Sequence, residues 1–348
     1  LKNKSITFAS MEWLLGKDLD ELTRMVTGLG LPRYTGKQLT DWLYKKRVKQ
    51  IGEMTNLSKE ARERLSAHYT VGGFAPEQMQ ESKDGTRKYL FSTMNRFHIE
   101  SVMIPDDERT TLCVSAQAGC RMGCRFCMTA RQGFQAHLTA GEIISQFQNI
   151  DECASLTNAV YMGMGEPMDN LDEVLKSLRI LTSDWGWGWS PRRVTVSTIG
   201  MLPQLKRFLD ESECHLAVSL HHPFDAHRQE LVPMQKAHPL AEVLSLIRQY
   251  NFRGQRRVSF EYIMFKGVND ALHYAVALAR LLKGIECRVN LIRYHAIPGN
   301  PLAPSSVEAI ALFQKKLSES GVLTTLRASR GEDILAACGL LSTQKRGM

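Results

Sequence analysis

The chain has 348 residues, 43% apolar and 23% charged, enough for a large globular domain and a small one. Lys and Arg total 44 against 36 Asp and Glu, a formal charge of +8, which favours a polyanionic partner without naming one. No apolar run reaches membrane-span length and nothing at the start reads as a secretory signal. The reading is therefore cytoplasmic, where eight cysteines argue for metal or redox chemistry over a disulfide scaffold.

Residues 1 to about 70 read as helical. SMEWLLGKDLDELTRMVTGLG (10–30) has apolar residues at helical spacing and stops on Gly28 and Gly30. GKQLTDWLYKKRVKQIGEM (36–54) predicts a second amphipathic helix with Trp42 and Leu43 inward and Lys45, Lys46, Arg47 and Lys49 clustered. Such a cluster is usually a solvated face, with RNA contact the sharper alternative. DGTRKYLFSTMNRFHIESVMI (84–104) predicts a turn and two short strands. The boundaries drawn are 1–75 for a helical accessory domain that could meet RNA, 76–110 for strands leading into the core, and 111–348 for the core.

From residue 110 short β-branched and apolar runs alternate with amphipathic helices. The runs cover 111–117, 158–165, 193–200, 215–222, 257–265 and 288–296. Six βα units in series specify a parallel sheet, and right-handed crossovers curl it into a partial (β/α)6 barrel. Parallel barrels carry chemistry at the C-terminal ends of their strands. Those ends carry cysteines, GMGEP, STIG, SLHH, GVND and RYHAIPGN in turn.

The first of these, CRMGCRFC, sets Cys120, Cys124 and Cys127 at x3 and x2 spacing. A closed zinc site needs a fourth ligand, normally from a second close pair, and His137 has no such partner. Three thiolates suit an iron–sulfur cluster with one iron left open; packing cysteines are the third alternative. In GMGEP, Gly163 and Gly165 allow close backbone approach and Glu166 offers an acceptor for an ammonium.

This loop, with Phe126 before its last cysteine, resembles the radical S-adenosylmethionine (SAM) superfamily. The resemblance implies one 4Fe–4S cluster on the three cysteines, its open iron chelated by SAM. It further implies SAM contacts from Gly165 and Glu166, and from Ser197, Ser219, Leu220 and His221 at the next strand ends. DDERTTLCVSAQAGCRMGCRFC, MGMGEPMDNLDEV, SPRRVTVSTIG, AVSLHHPFDAHRQELVP and RGEDILAACGL together narrow it to the RlmN/Cfr family of RNA methyltransferases. Where that family often carries a SAM-contacting asparagine, this chain has His295, a departure that leaves a hydrogen-bonding side chain in place; Asn290 reads as an ordinary strand residue.

The family match implies that Cys338 is methylated by one SAM. A second SAM, cleaved at the cluster, generates the radical that couples this methyl carbon to adenine. Glu100 matches the proton acceptor and Cys113 the resolving thiol that forms a transient disulfide with Cys338. By sequence alone Cys113 and Cys338 read as packing cysteines and Glu100 as a solvated strand carboxylate; Cys153, Cys214 and Cys287 are assigned to packing. Implied targets are C2 of an adenosine in 23S rRNA and of the adenosine 3′ of some tRNA anticodons, with Arg192, Arg193, Arg253, Arg256 and Arg257 as phosphate-binding candidates. A flavodoxin or ferredoxin would supply electrons, and the protein reads as a monomer. The alternatives are a Cfr-like adenine C8 methyltransferase and a non-enzymatic RNA-binding protein with a structural metal.

Overall fold

The computed structural model describes residues 11–252, 254 and 256–343; Ser10 of the first expected helix and Arg253 lie outside the described residues. The chain divides into two compact units. One gathers Leu1–Ala75, Leu138–Cys153 and Asp172–Ser190, and the other Pro76–His137, Ala154–Leu171 and Pro191–Met348. The first unit is thus assembled from three stretches, which boundaries drawn along the sequence do not describe.

In that unit the first helix is shorter than its apolar pattern. It spans Leu19–Gly28 because Asp18 caps it, its carboxylate accepting from the Glu21 amide at 2.9 Å while Glu21 accepts from the Asp18 amide at 2.9 Å. Ahead of it Glu12–Trp13 pairs in parallel with Tyr69–Thr70. The second expected helix is broken: Thr35–Thr40 is α-helical, Asp41–Lys46 is a π-helical turn, and Arg47 ends it in the left-handed region at φ 57°. Trp42 and Leu43 are buried. The basic cluster is exposed at Lys45, Lys46 and Lys49 and half-buried at Arg47, as a solvated face would be, but three of its side chains are anchored. Lys46 sits 3.5 Å over the Trp42 ring, Arg47 lies 4.1 Å over Trp187, and Lys49 donates to the Gln148 carbonyl at 2.9 Å. Those contacts anchor the stems within the unit while the lysines stay exposed.

The second unit is built on one sheet of ten strands whose spatial order follows the chain. They are β1 (Gln78–Glu81), β2 (Arg87–Ser92), β3 (His98–Asp106), β4 (Arg109–Cys113), β5 (Asn158–Tyr161), β6 (Val194–Thr198), β7 (His215–Ser219), β8 (Val258–Met264), β9 (Cys287–Arg293) and β10 (Leu323–Leu326). The pairs from β1 to β4 are antiparallel, and those from β4 to β10 are parallel.

The six expected parallel strands are present as a partial barrel, and β10 adds a seventh. Its LTTL sequence is short, with both leucines exposed, so no run of apolar residues advertises it. β8 is buried at every position but Ser259, the pattern of a strand covered on both faces. Leu205, Phe208 and Leu209 on helix Leu202–Glu211, and Val243, Leu244 and Ile247 on helix Leu240–Ile247, form the apolar stripes that seat helices on such a sheet. No helix of the described residues is long and apolar enough to cross a membrane.

Candidate active site

The C-terminal ends of all seven parallel strands meet at one cavity of about 360 Å³. Its wall includes Cys113 of β4, Tyr161 of β5, Ser197 of β6, Ser219 of β7, Ile263 of β8, Ile292 of β9 and Arg327 just past β10. Parallel strands all point their carbonyl ends the same way, so the loops that follow them can share a single mouth.

Cys120, Cys124 and Cys127 line this cavity. The Cys120 amide donates to the Gly133 carbonyl at 3.1 Å and the Cys127 amide to the Cys124 carbonyl at 3.2 Å, which folds the loop back on itself. Arg121, between the first two cysteines, makes a forked contact with Asp169 at 2.6 and 2.8 Å. Gln117 donates to the same carboxylate at 2.8 Å, so the cysteine loop and the GMGEP loop are cross-braced. Burial pushes Cys120 up to about 12, and burial with neighbouring thiols pushes Cys124 well above the usual range. Burial raises Cys127 too, although Ala130 and Thr129 donate to it. Three thiols held neutral by burial and by one another are donors that ionise only against a strong positive charge, which an iron cluster supplies. Among the described residues no three His, Cys, Asp or Glu form a group that could hold a single metal ion. All three thiols line the one cavity, and three thiol donors are a set that suits an iron–sulfur cluster with one iron left open.

Gly165 has φ +97°, and a Cβ there would meet the Gln117 side chain at 2.5 Å. A Cβ on Gly163 would meet the Val114 carbonyl at 2.6 Å. Both glycines therefore let the loop lie against the strand end while its backbone faces the cavity. Glu166 is buried and already engaged. It accepts from the Met168 amide at 3.1 Å and the Ile199 amide at 3.0 Å, tying the β5 end to the β6 end. Burial raises its carboxyl to about 7 against those hydrogen bonds. Thr198 also hydrogen-bonds this carboxyl, and Glu166 lines the cavity.

Ser197, Ser219, His221 and His295 also line the cavity, whereas Leu220 does not. The Leu220 side chain is buried and its amide donates to the Glu261 carbonyl at 3.0 Å, so its contribution is the position of its backbone. His221 sits at φ 58°. Its Nδ1 accepts from the Ile263 amide at 3.2 Å, leaving the proton on Nε2, and its ring stands edge-on to Phe126 at 4.8 Å. Burial, then Arg228, drives His221 down to about 3, so it is neutral. His295 is 3.1 Å from the Ser329 hydroxyl and 3.7 Å from Glu332.

Cys113 and Cys338 line the same cavity, one buried and the other exposed. Burial, then Cys338, pushes Cys113 up to about 12, while Arg327 draws it down. The segment carrying Cys338 is pinned on both sides. The Met128 amide donates to the Gly339 carbonyl at 2.8 Å, Thr129 donates to the Leu341 carbonyl at 2.7 Å, and the Ser342 amide donates to Glu100 at 2.9 Å. Glu100 does not line the cavity; it is buried, paired with Lys88 at 3.0 Å and holding that segment. It is therefore not the solvated strand carboxylate that its residue type suggests.

Several site residues escape sequence reasoning. Arg228, 1% exposed, donates to the carbonyls of Leu220, Ile199 and Ser219 at 2.9, 2.8 and 2.7 Å. It thereby fastens the ends of β6 and β7. Glu261 stands buried in the middle of β8, and a carboxylate in an otherwise apolar strand was the available signal. It accepts from Asn290 at 2.7 Å and Ser259 at 2.9 Å, and lies 3.4 Å from Arg327. Arg327 itself gave no signal once β10 went unread. Among the phosphate-binding candidates, Arg256 is buried, donates to the Leu209 carbonyl at 2.8 Å and pairs with Glu213 at 3.7 Å, so it is structural. Arg192, Arg193 and Arg257 are exposed.

Compared with known proteins, residues 114–279 match the radical SAM superfamily and residues 13–71 match the ribosomal RNA large subunit methyltransferase N-terminal domain. A probable dual-specificity RNA methyltransferase RlmN of Phocaeicola vulgatus is 55% identical over 333 residues, covering 96% of this chain and 95% of that protein. The dual-specificity RNA methyltransferase RlmN of Syntrophus aciditrophicus is 42% identical, covering 93% of this chain and 94% of its own length. The crystal structure of a radical SAM methyltransferase from Sphaerobacter thermophilus superposes with a TM-score of 0.89 at 40% identity, covering 95% of this chain and 99% of that one.

Proposed function

Because the chain belongs to the RlmN family of radical SAM RNA methyltransferases, we propose that it methylates C2 of a specific adenosine in 23S rRNA. The same site acts on the adenosine 3′ of the anticodon in some tRNAs. The observation that carries this reading is the single cavity at which the three cluster cysteines, the Gly165–Glu166 loop, Cys113 and Cys338 meet. A cofactor-binding loop and two further thiols in one wall suit a reaction in which the enzyme's own sulfur carries the carbon.

Adenine C2 has neither an acidic proton nor a nucleophilic lone pair, so direct displacement from a sulfonium fails there. Bound on Cys120, Cys124 and Cys127, the cluster with SAM supplies a one-electron route to a carbon radical. Gly165, Glu166, Ser197, Ser219, Leu220, His221 and His295 hold SAM through backbone and side-chain polar groups. Cys338 carries the methyl group, so two SAM are used per turnover. Glu100 takes the C2 proton, its carboxylate freed when the Cys338 segment releases Ser342. Once the adduct has given its unpaired electron to the redox partner, Cys113 as a thiolate attacks the Cys338 sulfur. The S–S bond forms as the bond from sulfur to the transferred carbon breaks; that carbon keeps the electron pair and takes up a proton to become the methyl group. A thiol reductant restores both cysteines. The protein acts as a cytoplasmic monomer with a flavodoxin or ferredoxin as electron donor.

The match of residues 13–71 and the names of the relatives favour this reading over a Cfr-like C8 methyltransferase. Nucleoside mass spectrometry of rRNA and tRNA with and without the gene tests it: 2-methyladenosine disappears from both pools in its absence. An 8-methyladenosine product, or no change, refutes it. Cys338→Ala loses methylation while retaining the cluster, and Cys113→Ala accumulates protein covalently bound to RNA; clean turnover by either removes the role assigned to it.

A further inference from the structure

We propose that the helical turn Met128–Gln132, which follows directly on the last cluster cysteine, is the seat that holds Cys338 at the cavity, and that Gln132 is its clamp. The proposal rests on the methyl-carrying role given to Cys338 above, and it adds a positioning residue to that role.

The Cys338 segment lies on the backbone either side of Cys127. The Leu340 amide donates to the Ala337 carbonyl at 3.0 Å, closing a tight turn with Cys338 and Gly339 at its two corners. Gly339 has φ +82°, and a Cβ there would meet the Phe126 carbonyl oxygen at 3.2 Å. Glycine therefore lets this corner lie close against the cysteine loop. From the far side of Cys127, the Met128 amide donates to the Gly339 carbonyl at 2.8 Å. Ala337 and Leu340 are buried in one small apolar cluster with Met128 and Ile297, while Cys338 is exposed and lines the cavity. The turn docks by its flanks and presents its thiol.

Gln132, at the other end of the helical turn, grips the two residues that follow Leu341. Its side-chain carbonyl accepts from the Thr343 amide at 3.0 Å and from the Ser342 hydroxyl at 3.2 Å. Its side-chain nitrogen donates to the Thr343 hydroxyl at 2.7 Å and to Gln135 at 2.9 Å, which fixes the way the carboxamide faces. Glu100 holds the same segment through the Ser342 amide. The two holds differ in kind. A carboxylate that is to take a proton must let go of Ser342, whereas a neutral carboxamide has no charge to change. Gln132 thus keeps the segment seated while Glu100 is freed. Placement matters because Cys338 takes its methyl by displacement: the S–C bond forms as the SAM sulfonium leaves as S-adenosylhomocysteine and the thiol proton departs. A sulfur misplaced by about 1 Å slows such a step by up to a hundredfold.

The test uses the full, cluster-reconstituted protein with SAM and without RNA. Peptide mass spectrometry follows methylation of Cys338, while iron content and 5′-deoxyadenosine released with dithionite report on the cluster and on SAM bound to it. Gln132→Ala slows Cys338 methylation about tenfold and leaves the other two readouts within about twofold of the parent. Gln132→Glu keeps both acceptor contacts and brings methylation back to within about threefold. A fall in all three readouts together would make Gln132 a support of the cysteine loop and overturn the proposal; so would unchanged methylation in Gln132→Ala, or no recovery in Gln132→Glu. Should Gln132→Ala fail to fold, the double variant Ser342→Ala with Thr343→Val removes the segment's two hydroxyls and leaves Gln132 in place. Methylation about threefold slower then supports the clamp, and the parent rate overturns it. Absence of methyl from Cys338 in the parent protein would refute the thiol role itself, whereas full methylation in Gln132→Ala leaves that role standing and removes only the clamp.

Discussion

Arg228→Met is the sharpest test of how the cavity is built. The side chain is 1% exposed and donates to three backbone carbonyls at the ends of β6 and β7, at 2.7–2.9 Å, as well as to Gln235. Methionine fills similar space but donates nothing. Three buried carbonyls stripped of a partner cost about 2 kcal/mol each, or about 6 kcal/mol together. Against this, burial holds the guanidinium down at about 10, below its ordinary 12.5, so losing the charge returns about 3 kcal/mol. The net expectation is destabilisation of about 3 kcal/mol. Urea unfolding followed by circular dichroism measures it, and isothermal titration reads SAM affinity, which falls because Ile199, Ser219 and Leu220 lose their common anchor. An unfolding free energy within about 0.5 kcal/mol of the parent, the scatter expected of an inconsequential substitution, would refute the reasoning. It would mean that the strand ends hold their positions without the guanidinium.

Glu166 gives a signed pH dependence. Its folded value, about 7 against an ordinary 4.5, means that the folded state binds this proton more tightly than the unfolded chain. Its contribution is most favourable below pH 4.5, is lost as pH rises towards 7, and then levels off; the span is about 3 kcal/mol. Glu166→Gln flattens that part of the profile, read as the difference between variant and parent urea midpoints across pH 4.5 to 8, and a parallel pair of profiles would contradict it. Lys88→Met strands the Glu100 carboxylate, paired at 3.0 Å with both side chains about one-tenth exposed. It should cost about 3 kcal/mol and speed hydrogen exchange at the Ser342 amide that Glu100 holds; unchanged exchange would show that Glu100 does not pin the segment.

How much of this was legible depends on range. The βα alternation and the six strand ends were readable because a strand's apolar run and the glycines after it are neighbours in sequence. β10 was not, since LTTL carries too little apolar surface to mark a strand, and Arg327 was lost with it. The three-cysteine loop was readable from its spacing, and Cys113, Cys338 and Glu100 were singled out only through family resemblance. The basic run is an exposed face at Lys45, Lys46 and Lys49, but the seating of Arg47 on Trp187 and of Lys49 on Gln148 was not legible because those partners come from distant stretches of the chain.

The sequence by itself determined the class of sheet, the open three-cysteine loop and the glycine loop beside it, because spacing, strand pattern and turn chemistry act over a few residues. Tertiary structure alone decided which charges meet. Glu100 reaches Ser342 across 242 positions, Arg228 fastens two strand ends, and Arg327 pairs with Glu261 at 3.4 Å. Those pairings follow from strand order and from the cost of burying an unpaired charge, and neither is written in any local stretch of residues.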